Sequence, residues 1–128
     1  MATLTPTLSL VSTDASSDNL NFSVDSTLTT THTSQGPGKI SCATSSGTAL
    51  LTTGQTSIAY VYFKNTGKLA ADGADTTNII TLQDAAGNTF SDVGAGEFAF
   101  FPLKGAQGLT AVSDTAAVVG EFAFYTKA

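Results

Sequence analysis

Apolar and polar residues alternate along this chain with a period of two, and no segment sustains the period of a helix. Residues 3–12, TLTPTLSLVS, set Leu4, Pro6, Leu8 and Leu10 against Thr3, Thr5, Thr7 and Ser9. Residues 19–31, NLNFSVDSTLTTT, set Leu20, Phe22, Val24 and Leu28 against Asn, Ser, Asp and Thr. Successive side chains of a strand point to opposite faces, so each run reads as a strand with one face buried. Pro6 has no N–H to donate, which puts the first strand at a sheet edge or breaks it there.

The pattern continues beyond these runs. SQGPG at 34–38 reads as a loop, since Gly and Pro together interrupt regular structure. Ile40 and Cys42 then alternate with Ser41 and Ala43, and a polar, Gly-punctuated stretch at 45–56 is interrupted only by Leu50 and Leu51. TSIAYVYFKN is apolar on both faces, with Ile58, Tyr60 and Tyr62 on one and Ala59, Val61 and Phe63 on the other, so it reads as a central strand covered on each side. Asn65-Thr66-Gly67 supplies turn chemistry to end it. Residues 79–83 and 88–91 flank Asp84-Ala85-Ala86-Gly87, a spacing suited to a hairpin with a left-handed Gly. GEFAFFPL at 96–103, with Pro102 at its end or on an edge, and VVGEFAFYTK at 118–127 complete the set. The expected fold is all-β: a single antiparallel β-sandwich over residues 1–128, jelly-roll or Ig-like, of about eight or nine short strands. Residues 1–12 form either an N-terminal arm or an edge strand.

Composition narrows the function. At 128 residues the chain suits one domain. Its single cysteine, Cys42, allows no internal disulfide and reads as a small buried hydrophobe. The net charge is −5, with five lysines spread singly at 39, 64, 68, 104 and 127 and no arginine, which argues against nucleic-acid binding. Met1-Ala2-Thr3 leads straight into alternating residues with no basic or apolar leader, and no run approaches the length of a membrane helix. The expected product has no signal peptide, no membrane span and is made in the cytosol.

Catalytic chemistry finds few candidates. His32 is the lone histidine, sits in the polar stretch THTSQ, and has no GxSxG nucleophile elbow to serve. Zinc needs several His or Cys ligands, and the chain has one of each. Glu97 and Glu121, in matching positions, are the only glutamates, and no apolar pocket can be located to raise the pKa of either. Asp72, Asp75 and Asn78 could offer oxygens to calcium, but their spacing does not match a calcium loop. The expectation is no enzyme, no cofactor and no metal. A small hydrolase built on Glu97, Glu121 and His32, and a sugar-binding sandwich using Tyr and the Asn/Asp loops, are the competing readings.

The pentapeptide GEFAF occurs at 96–100 and again at 120–124. Either the two strands meet similar neighbours in the core, or the rings fill a core and also form a surface that another subunit covers. Phe100 beside Phe101 forces one ring onto each face. AYVYFKNTG at 59–67, GEFAFFPL at 96–103 and the closing EFAFYTK at 121–127 together resemble small structural proteins of tailed-bacteriophage particles, over about the C-terminal half. That resemblance implies a virion component assembled in the host cytoplasm. A capsid decoration (cement) protein lying across major capsid subunits is expected first, and a tail, baseplate or fibre-associated subunit is the alternative. It also implies a homotrimer. The expected interface residues are Phe98, Phe100, Phe101, Pro102, Phe122, Phe124 and Tyr125, with Leu4 and Leu8 from an arm that adds to a neighbour's sheet.

Overall fold

A computed structural model describes residues 2–15, 17–31, 35–51, 58–104 and 106–128. Among them all regular structure is strand: β1 (Ala2–Leu4), β2 (Thr7–Ser12), β3 (Leu20–Asp25), β4 (Leu28–Thr30), β5 (Gln35–Cys42), β6 (Thr48–Leu51), β7 (Ile58–Leu69), β8 (Ile80–Gln83), β9 (Thr89–Val93), β10 (Phe98–Pro102), β11 (Leu109–Ser113) and β12 (Val118–Thr126). Two four-stranded antiparallel sheets, ordered β10-β7-β12-β5 and β6-β11-β8-β9, pack as a β-sandwich. From β5 onward the chain shuttles between the sheets, so most connections cross the sandwich and tie its layers together.

The core lies between the sheets. Val61, Phe63, Cys42, Val118 and Phe124 come from the first sheet, and Leu51, Ile80, Leu82, Val93, Leu109 and Ala111 from the second. Burying each large member contributes about 1.5–3 kcal/mol relative to exposing it. β7 is central, as its two apolar faces require, and lies between β10 and β12. The hairpin of β8 and β9 also forms as expected. Gly87 takes φ 89°, and the Asp84 carboxylate accepts the N–H groups of Ala86 and Asn88. Hydrogen bonds from Asn88 hold that carboxyl below the usual range.

Strands exceed the expected eight or nine for identifiable reasons. Each N-terminal run is cut in two, at Thr5-Pro6 and at Ser26-Thr27. β6 rises out of the stretch read as polar loop, and β11 is built of small residues whose alternation is weak. Two turn readings are corrected. Gly36, Pro37 and Gly38 lie within β5, opposite an irregularity between Phe122 and Phe124. A Cβ at Gly36 would stand 2.6 Å from the Phe122 carbonyl, so glycine is what lets this edge strand close on β12. Asn65-Thr66-Gly67 does not end β7 either. Asn65 is fully buried, its Nδ2 donates to the carbonyls of Asn78 and Val93, and its Oδ1 accepts the Gly67 N–H. Gly67, at φ 67°, spends its left-handed geometry on a bulge opposite β12 rather than on a turn.

Candidate interaction surface

The two N-terminal runs pair with each other instead of entering the sandwich. Leu4 lies opposite Leu28, Thr7 opposite Asp25 and Ser12 opposite Leu20, and the Ser26 N–H donates to the Pro6 carbonyl across the break. The register is therefore constant from Ala2 to Ser12, and the two runs form one long antiparallel ribbon. Its root is fixed: Thr30 is buried, the Thr31 N–H donates to the Thr126 carbonyl, and the Ala128 N–H donates to the Thr29 carbonyl. The root thus continues beside β12 the line that β5 begins. Among the described residues, no second layer covers its outer part.

Directly opposed residues share a face, so Leu8, Leu10 and Ser12 stand with Val24, Phe22 and Leu20. Thr7, Ser9 and Val11 stand with Asp25, Ser23 and Asn21 on the other. The buried face expected for these runs is not buried: Leu8, Leu10, Leu20, Phe22 and Val24 are 39% to 48% exposed. Alternation reports a two-faced strand, but not whether a layer covers it. Leu8 was in the expected set, while Leu10, Leu20, Phe22 and Val24 were assigned to a core they do not reach. Leu4, nearer the root, is half-buried.

The two GEFAF copies flank β7 and are one residue out of phase. Lys64 faces Phe98 on one side and Glu121 on the other; Phe63 faces Ala99 and Phe122; Tyr62 faces Phe100 and Ala123. A one-residue slip exchanges the faces. Phe98, at 62% exposure, and Phe100 consequently point outward, with Phe100 stacked on Tyr60 at 6.3 Å. Phe122 and Phe124 point inward, stacked at 5.1 Å. The second copy therefore belongs to the core, and Phe124 is buried there instead of offering an interface. Phe101, the inward neighbour of Phe100, packs on the core and meets Phe90 edge-on at 5.8 Å. Pro102 is exposed at the end of edge strand β10, and Tyr125 is half-buried.

Ribbon and strip adjoin. Pro6, Leu8 and Val24 at the ribbon's base, with Phe98, Phe100 and Phe101, bound an apolar groove of about 500 Å³. The outer face beyond it carries Tyr62, whose hydroxyl donates to Glu121 at 2.9 Å; burial first, and that carboxylate second, raise the phenol's pKa.

The residues considered for chemistry are occupied with structure. Glu97 accepts the Gly94 N–H, and Glu121 is held by Tyr62. Asp72 caps its own turn through the Ala74 N–H, Asp75 pairs with Lys68, and Asn78 donates to the Ala116 carbonyl. Among the described residues no three His, Cys, Asp or Glu side chains gather where they could hold a metal ion. His32 lies outside the described residues. Cys42 is buried, and burial pushes its thiol up to about 11. Comparison with family models and with curated protein sequences finds no match.

Proposed function

We propose that this chain is a non-catalytic structural subunit that works by laying its apolar ribbon and the adjoining Phe98–Phe100 strip on a protein surface. One observation carries the reading: a ribbon of constant register, apolar on one face and polar but for Val11 on the other, has that apolar face in water. Contiguous apolar surface of this kind marks an interaction site in a soluble protein. On the resemblance of the aromatic strands, the assembly is a tailed-phage particle. The role is capsid decoration across major capsid subunits, which stabilises the head; a tail, baseplate or fibre-associated position is the alternative within the same class.

The test is addition of purified protein to purified particles that lack it. Stoichiometric co-sedimentation with heads, and heads that survive a higher temperature, are expected. Co-sedimentation with tails alone moves the role to the tail. Changing Leu10 and Phe22 together to Asp abolishes binding and leaves the sandwich folded. Failure to bind any part of the particle overturns the proposal.

A further inference from the structure

We infer that the ribbon of one copy docks on the outer face of the β10-β7-β12-β5 sheet of a second copy. The inference rests on the reading of the ribbon as an assembly surface, and it names the first occupant. Charge is the first argument. Residues 2–31 contain Asp14, Asp18 and Asp25 and no lysine or arginine, whereas all five lysines lie in the sandwich. Asp25 stands on the polar face, so the negative charge a docking ribbon presents is that of its tip, Asp14 and Asp18, and two ribbon tips brought together would repel. A ribbon brought to the outer sheet face meets Lys39 and Lys64, which flank Glu121 in one row across β5, β12 and β7. Glu121 itself is engaged by Tyr62.

Shape and area agree. The six-residue pair β2–β3 extends about 20 Å, and four strands span about 14 Å centre to centre, so the ribbon can cross the whole sheet. Its five apolar side chains leave on the order of 400 Å² in water. The receiving face offers a similar area from Phe98, Phe100, Pro102, Tyr62 and Tyr125. A copy that gives its ribbon and receives another's covers roughly 800 Å², what each partner buries in a stable complex. The contact joins two different patches, so it gives a reciprocal dimer, or a ring where successive rotations close.

Light scattering on the purified full chain tests this without any particle present. The wild type is expected as a closed oligomer down to about 1 μM. Leu10→Asp with Phe22→Asp yields monomer at about 100 μM, with a melting temperature that shows the sandwich intact. Lys39→Glu with Lys64→Glu weakens association at least tenfold, and adding Asp14→Lys and Asp18→Lys at the ribbon's tip restores it. A wild-type monomer at the higher concentration, or an oligomer indifferent to both sets of changes, overturns the inference. A monomer that still binds particles through its ribbon does so too, leaving the proposed function standing with the particle as occupant. An oligomer that obeys these changes but binds no particle supports the inference and sinks the proposed function.

Discussion

The same five residues, Gly-Glu-Phe-Ala-Phe, fold on both sides of β7, and a slip of one residue sends the two copies to opposite sides of the sheet. At 120–124 the phenylalanines meet Phe63 and Val61 between the layers; at 96–100 they meet solvent beside Lys64 and Tyr62. The glycines diverge as well. Gly120 lies within β12, where a Cβ would stand 2.8 Å from the Phe63 ring, while Gly96 turns at φ 82° with open space around it. Identical sequence thus does packing work in one place and surface work in the other, and register alone decides which.

The contrast can be broken by substitution. Phe124→Ala is expected to cost about 3–5 kcal/mol in a denaturant titration, because a buried ring leaves a cavity. Gly120→Ala follows at about 1–3 kcal/mol from overpacking. The matched Gly96→Ala costs about 1–2 kcal/mol through backbone strain alone. Phe63→Leu should relieve the first glycine variant and leave the second unchanged.

Alkali also probes the buried copy. The Cys42 thiol, 3.0 Å from where a Gly120 Cβ would stand, has its pKa raised from 9.0 to about 11. The folded state holds the proton after the unfolded chain has released it. The stability from this burial is therefore complete below pH 9.0 and lost as pH rises through about 11. Relative to a Cys42→Ala variant, the wild type should lose up to about 2 kcal/mol across that window. The smallest effect belongs to the outward copy: Phe98→Ala should shift stability by less than about 0.5 kcal/mol while weakening assembly. A large loss of stability there would mean the two copies are not different after all.

Much of the fold was legible because period two is strong wherever a strand is half or fully covered. β7, β10, β12 and the Asp84–Gly87 hairpin all follow from it. β11 was not, since Thr110, Ala111 and Ser113 are too small to mark a face. The Gly-Pro-Gly segment misled because glycine can signal close backbone approach as well as a turn. The candidate interaction surface was half legible. Phe98, Phe100 and Leu8 could be named from aromatic surplus and edge position. Leu10, Leu20, Phe22 and Val24 could not, because nothing local to their runs says whether a second layer exists.

The burial of Cys42 has a practical consequence. It is the chain's single thiol, it lies in the layer that both sheets share, and its proton is held tightly. A thiol-reactive reagent therefore meets nothing in the closed molecule and reacts only when the sandwich parts. Labelling becomes a clock for opening, readable on the free protein and on any complex it enters. The ratio of the two rates measures how firmly assembly holds the sandwich shut.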